Sequence, residues 1–479
     1  MNAASVWTRT VTLPGFAPLS GDETVQVAII GGGIAGLLTA HLLREKGIRA
    51  LVLESGRICS GQTSRTTAKI TSQHDLLYAG LIDRVGQEAA AQYAMANQAA
   101  IADYARIIRE GRIDCGFTAC DAYLYSQKES TPLEQEVEAA KQLGIPAEFT
   151  RVTELPFSIA GAVRFSDQAQ FHPLKFLRAV AEGLDIRENT RVLSVEDDRI
   201  HTEQGVVTAE HIVFACHYPF VNVPGWYFAR MHQERSYVLA LESSWLPQHV
   251  HLGVDEDGLS FRPAEGWLLL GGGSHRTGEN TDGGKYAELR DAARRLLPQS
   301  REAAHWSAQD CVTVDRIPCI GHYARSQPRW YVATGFAKWG MTSSMASAIL
   351  LSGMICGQPP EWAAVFSPQR FKLSASARSL ADETGHALRG LSREVFSLPR
   401  ETMDALPPGH GGIVELDGHK LGVYREPEGC CHIVDPRCPH LGCQLTWNPD
   451  ERTWDCPCHG SRFRYDGSVL DGPAQSSLL

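Results

Sequence analysis

Hydrophobic positions divide this chain into stretches of different period. Val27 to Ile30 is a short unbroken apolar run, the pattern of a parallel strand covered on both faces. Gly31-x-Gly33-x-x-Gly36 follows at once, and Ile34, Leu37, Leu38 and Leu42 then recur at helical spacing until Gly47. Ala50 to Leu53 reads as a second strand, ending on Glu54. Residues 86–110 and 130–143 read as helices with Ala-rich and charged faces, and 225–275 as strands of a substrate-binding sheet. After Pro359-Pro360 the pattern turns polar. A helical connector, Gln369 to Leu398, and then Pro407-Pro408-Gly409 mark a linker. Beyond it GGIVELDGHKLGVYREPEGCCHIVD alternates between Asp-Gly and Glu-Gly turns, which predicts a small all-β domain of about 75 residues.

Composition narrows the class. With 479 residues the chain can build two or three domains, and 43% apolar with 21% charged residues is ordinary for globular proteins. A net charge of −10 without basic clusters argues against a nucleic-acid partner. The start, MNAASVWTRTVTLPGF, has neither the basic nor the apolar region of a secretory signal. The longest apolar stretch, Ala346 to Cys356, is broken by Ser347, Ser352 and Gly353, well short of the roughly 18 residues a span needs. The expectation is a cytoplasmic protein with no membrane span. Of 13 cysteines, nine are scattered and read as reduced, buried thiols.

The front of the chain carries a dinucleotide fingerprint. Gly31 permits a tight turn, Gly33 lets the backbone approach a pyrophosphate, and Gly36 lets helix and strand pack closely. Glu54 stands where ribose hydroxyls would be bonded. The next segment, Ser55 to His74, is a Gly/Ser/Thr-rich loop rather than another βα unit. GGGSHRTG, Gly271 to Gly278, lacks a third glycine and a following helix, so it reads as a strand end and turn. Without a second dinucleotide unit, NAD(P)H is not expected as a stably bound partner.

The loop after Glu54 resembles that of the D-amino-acid oxidase-like (DAO) family of FAD-dependent oxidoreductases, where it wraps the flavin. Phe171-His172-Pro173-Leu174, the strand pair within Val206 to Cys216, DRIPCIG (Asp315 to Gly321) and WYVATGFAKWGMTSS (Trp330 to Ser344) extend the resemblance over about residues 1 to 370. It implies an α/β fold with a Rossmann-like, glutathione-reductase-type FAD-binding domain and a mixed β-sheet substrate domain, together residues 1–368. The nucleotide-binding parts would be about 25–80, 150–225 and 310–358, and the substrate-binding parts about 81–149 and 226–309. FAD, held noncovalently, would touch Gly31, Gly33, Gly36, Glu54, Ser60, Gly61, Thr67, Val192, Gly335, Phe336, Gly340, Met341 and Thr342. A helix N-terminus after Gly335 would face the flavin carbonyls and stabilise negative charge on the reduced ring. Lys69 and Lys338 would stand on the flavin face, with His74 in the same pocket.

The other four cysteines lie in CPHLGCQLTWNPDERTWDCPCHGS. Cys438-x-His440 and Cys456-x-x-His459 offer two thiolates and two imidazoles, which suit zinc or a [2Fe–2S] cluster. With Cys443 and Cys458 added, one to each loop, the pattern resembles a Rieske domain, assigned to 406–479 after a helical linker at 369–405. That resemblance implies Cys438 and Cys456 on one iron, His440 and His459 on the other, and a Cys443–Cys458 disulfide between the loops. Ser461 could bond a cluster sulfur, and Phe463 stands where high-potential members have Tyr. The D-x₂-H-x₄-H pattern of a mononuclear oxygenase iron is absent, and His211 and His217 read as structural.

Together the two halves imply a converter of electron pairs into single electrons. A small amine or amino acid would give a hydride to FAD, and electrons would leave singly through the cluster to an external acceptor, or to O₂. The alternatives are a reductase component that relays electrons from an external donor to a partner oxygenase, and a non-enzymatic redox sensor. The long linker also leaves room for a homodimer in which flavin and cluster of different chains pair.

Overall fold

The computed structural model describes residues 4–370 and 406–478. The expected connector lies, from residue 371 to 398, outside the described residues. Glu23–Ile30 is the middle of the first sheet, parallel to Ala50–Leu53 on one side and to Val206–Phe214 on the other. Its apolar run feeds two cores: Val27 and Ile29 point to one face, Ala28 and Ile30 to the other. Helix Ile34–Glu45 covers one face and packs against helix Gly340–Ile355, the expected flavin-facing helix. Gly47, at φ +78°, supplies the left-handed residue that ends the first of these helices. Val206 to Cys216 holds one strand rather than a pair; its hairpin partner is the upstream strand Arg199–Thr202.

The second sheet is mixed and runs in the order Arg301–Thr313, Met231–Glu242, Trp267–Arg276, Ser260–Ala264, Val250–Gly253, Thr118–Ser126, Gly161–Gln170, Lys69–Ile70. Helices Gln87–Glu110 and Thr131–Gln142 stand where the sequence pattern puts them. Two strands belong elsewhere than expected. Lys69–Ile70 and Gly161–Gln170 pair with each other in this substrate sheet, not in the nucleotide-binding parts, and Arg301–Thr313 carries the sheet past residue 309. Pairing partners far apart in sequence leave no local signal of which sheet a strand joins.

Past residue 406 come two small antiparallel sheets, Gly411–Leu416 with His419–Arg425 and Cys431–Val434, and Thr446–Asn448 with Thr453–Asp455, Arg462–Arg464 and Val469–Asp471. Asp417 and Gly418, at φ +51° and +78°, form the first hairpin turn with the two positive φ values that a two-residue turn of this hand requires. Trp454 and Phe463 pair across strands at the centre of this all-β core. No helix among the described residues is long and apolar enough to cross a membrane.

Candidate functional site

A cavity of about 660 Å³ opens along the carboxyl ends of the parallel strands, where open α/β sheets bind ligands. Strand ends at Ile30, Leu53 and Ala215 meet there the turn Phe336–Met341. The glycine turn is built as its sequence requires. Gly31 sits at φ +114°, and a Cβ on Gly36 would collide with the Gly31 carbonyl oxygen, so helix and strand approach only because both are glycine. The Thr63 hydroxyl accepts from Ile34 N at 3.0 Å and caps the helix start. Glu54 is pinned at the turn, accepting from Gly32 N and Gly56 N, each at 2.8 Å.

Gly31, Gly33, Glu54, Ser60, Gly61, Thr67, Val192, Phe336, Gly340 and Met341, which the resemblance gives to FAD, line this cavity. Gly36 works behind it, at the helix–strand contact. Gly335 and Thr342 also lie behind the wall: Gly335 turns the chain at φ +75° against Thr313, and Thr342 donates to the Thr71 carbonyl at 3.1 Å. His74 is likewise not in the cavity. It is 1% exposed, bonds the Tyr93 hydroxyl at 2.6 Å and the Thr71 carbonyl at 2.8 Å, and stacks at 4.7 Å on Trp339, which does line the cavity. Burial pushes its pKa down to about 3, so it is a neutral support for that ring.

Lys69 and Lys338 both reach the cavity. The Lys69 ammonium donates to the Ser260 hydroxyl; burial first, and the nearby Arg262 charge second, lower its pKa to about 7. Lys338 donates to the Ser274 hydroxyl at 2.6 Å and faces Glu234 at 3.4 Å. Sequence reasoning missed Gln62, Arg65, Arg191, Tyr237, Asp310 and Trp339, all on the lining. Gln62 and Arg65 lie in the singled-out Gly/Ser/Thr-rich loop and were within reach. Asp310, pushed up to about 7 by burial, carries no motif.

At the other end, two tight loops present the Cys/His pairs. Cys438 N bonds Cys443 O at 2.9 Å and Cys456 N bonds Ser461 O at 2.8 Å, closing each loop on itself. The disulfide Cys443–Cys458 ties the loops together. Cys438 and Cys456 are 2% and 1% exposed and face each other, sharing a hydrogen bond that lowers the Cys438 thiol and raises that of Cys456. The His440 and His459 rings stand perpendicular with centroids 5.0 Å apart. His440 Nδ1 is buried without a hydrogen-bond partner, while its Nε2–H donates to Asn222 Oδ1 at 2.9 Å. An inward lone pair with the outer nitrogen protonated is the tautomer of a metal ligand. Proximity alone would group Cys443, Cys456 and Cys458, but two of those sulfurs are consumed by the disulfide. Cys438, Cys456, His440 and His459 therefore fit an iron–sulfur site. The Ser461 hydroxyl faces the Cys438 thiol and accepts from Ala474 N at 3.0 Å.

These loops are docked on the first domain. Gln233 Nε2 donates to His459 O at 2.7 Å, Gln309 Nε2 donates to Gly460 O at 2.8 Å, and the Phe228 ring lies 5.8 Å from His459 and 6.4 Å from His440. Gly278, in the segment read as a plain turn, lets Pro457 in so closely that a Cβ would stand 2.6 Å from its Cα. Glu451 meets the fully buried Arg235 at 2.5 Å.

Comparison with known proteins agrees with both halves. The family profile "FAD dependent oxidoreductase" (DAO) matches residues 26–354 and the "Rieske [2Fe-2S] domain" profile matches 400–479. YhfW of Bacillus subtilis (strain 168), a Rieske 2Fe-2S iron-sulfur protein by name, is 36% identical over 490 residues, covering 98% of this chain and 96% of its own. Cytochrome b6-f complex iron-sulfur subunit 3 of Nostoc sp. (strain PCC 7120) is 60% identical over 106 residues, 20% of this chain and 58% of that one. Among solved structures, glycine oxidase from Geobacillus kaustophilus superposes with a TM-score of 0.62 at 19% identity, over 73% of this chain and 100% of that one. L-proline dehydrogenase from P. horikoshii does so at 0.63 and 16%, over 73% and 98%. The fold, the glycine turn and the Cys/His loops thus meet in one assignment: this chain belongs to the DAO family of FAD-dependent oxidoreductases and carries a C-terminal Rieske [2Fe–2S] domain.

Proposed function

We propose that this protein oxidises the C–N bond of a small amine or amino acid and sends the electrons singly through its Rieske domain to an external acceptor. The observation that carries this reading is the docking of the two histidine-bearing loops on the same domain that holds the FAD cavity. When bound, FAD accepts an electron pair and the cluster carries one electron at a time, so neighbouring sites make a converter. The substrate class rests on likeness to glycine oxidase and L-proline dehydrogenase.

The chain's own residues suit the task. Lys69, with a pKa near 7, is partly neutral at physiological pH and accepts the proton of an ammonium substrate, which must be neutral to lose a hydride. Lys338, held on Ser274, puts a positive charge at the cavity edge. Trp339, backed by His74, gives the substrate a fixed apolar wall.

The test is anaerobic mixing of the holoprotein with a panel of primary, secondary and N-methylated amines and amino acids. Flavin absorbance and the EPR signal of the reduced cluster are followed together. Bleaching by one compound, followed by the cluster signal, supports the proposal. A cluster signal only with a pyridine nucleotide or reduced ferredoxin would replace it with the reductase reading.

A further inference from the structure

We propose that the Rieske domain is itself a wall of the FAD site, so that FAD is locked in place when the domain docks and escapes when it undocks. The strand Val469–Asp471 and the following turn, through Gln475, line the same cavity as Gly31, Gly33 and Val192. Two hydrogen bonds fasten this segment along the cavity. Gln62 Nε2 donates to Asp471 Oδ1 at 2.9 Å, beside the helix start that Thr63 caps. Arg191 donates to Gln475 O at 3.1 Å, next to Val192 at another part of the lining. A cofactor lying over the glycine turn would share the cavity with this segment.

The contacts that dock the domain end on the residue that closes the cavity. Arg235 of the first domain meets Glu451 at 2.5 Å, Glu451 meets Arg462 at 2.9 Å, and Arg462 meets Asp471 at 3.1 Å. Arg235 and Arg462 are 0% and 1% exposed; Glu451 is the carboxylate that meets Arg235, while Arg462 is also held by the buried Asp455 at 3.0 Å. A second fastening lies away from the cavity: Asp450 accepts from Asn280 Nδ2 and Lys285 N, each at 2.9 Å. Loosening both fastenings weakens the wall without touching Gly31, Gly33 or Val192. The proposal needs FAD in the cavity but no particular substrate, so it stands apart from the reaction proposed above.

The experiment follows FAD release from full-length holoprotein, as fluorescence recovered after dilution, with no substrate present. Glu451→Lys sets like charge against Arg235; the double variant Asp450→Ala with Arg235→Met loosens both fastenings without adding charge. Small-angle scattering reports undocking, and EPR of the dithionite-reduced cluster reports that the Rieske domain is intact. An expanded particle that keeps its cluster signal should release FAD at least about tenfold faster than the parent, since docking and cofactor retention are linked. Expansion with unchanged FAD release would overturn the proposal. So would a compact double variant with unchanged release, because these contacts would then not hold the wall. If Glu451→Lys loses its cluster, the double variant decides.

Discussion

Acid should loosen the two halves of this protein through one carboxylate, Glu451. It is 13% exposed, and it meets Arg235 at 2.5 Å and Arg462 at 2.9 Å, with the Ser307 hydroxyl donating to it. Burial opposes its charge, but Arg235 and then Arg462 outweigh burial and hold its pKa at about 2, against an ordinary 4.5. A gap of about 2.5 units corresponds to about 3 kcal/mol favouring the docked, folded state. Because the folded pKa is the depressed one, that contribution is complete above pH 4.5 and disappears as pH falls toward 2. Asp471, lowered to about 2 from 3.8, adds to the loss in nearly the same window.

Glu451→Gln keeps the shape and removes the charge. At pH 7 it should cost about 3 kcal/mol, at the low end of the roughly 3–5 kcal/mol for breaking a buried pair by removing one partner. By pH 3 the parent has itself lost about 2 kcal/mol of this term, so the difference narrows to about 1 kcal/mol. Chemical unfolding of the holoprotein at pH 7, 5, 4 and 3, followed by flavin fluorescence and by cluster circular dichroism, measures this gap. Parallel stability curves for parent and variant across that range, or equal stability at pH 7, would refute the reasoning.

Lys69→Met should flatten a pH profile: flavin reduction by an amine substrate in the parent rises about tenfold from pH 6 to 8 as a lysine of pKa near 7 becomes neutral, and the variant has no such inflection. Gly36→Ala drives a methyl group into the Gly31 carbonyl, with overpacking of about 1–3 kcal/mol, and the purified variant should carry little flavin absorbance per chain while keeping its cluster spectrum. Asn222→Leu leaves the His440 Nε2–H facing no acceptor when docked, a cost of about 1–3 kcal/mol, and makes the imidazole a weaker donor to iron. The cluster's reduction potential should therefore rise in redox titration, and an unchanged potential would remove Asn222 from the site.

What was legible in the sequence was chemistry carried on one or two turns of chain. The strand, the glycine turn, the helix and Glu54 lie within about 30 residues and specify each other locally. Each Cys/His loop closes by its own backbone bonds, so its spacing marks a metal site, and the added cysteine in each loop carries the resemblance to a Rieske domain. Contacts between distant segments were not legible, and they are what bring cavity and cluster together. Gly278 looks like an ordinary turn residue until Pro457 is seen against it. His74 and Thr342 sit among cavity residues in sequence, yet bond each other behind the wall at 3.1 Å.

Arg235, Glu451, Arg462 and Asp471 are the clearest case. A charged residue with no neighbour in the sequence to pair with reads by default as solvated surface, because burying it alone is prohibitively costly. Here Arg235 is paired across the two domains with Glu451, which Arg462 in turn joins to Asp471 within the small domain. The motifs therefore specify which cofactors this chain takes, while charges belonging to no motif join the small domain to the first. It follows that a relative could keep every glycine, cysteine and histidine of the two motifs and still lose the ion pair that joins the two domains through a change at Arg235 or Glu451 alone.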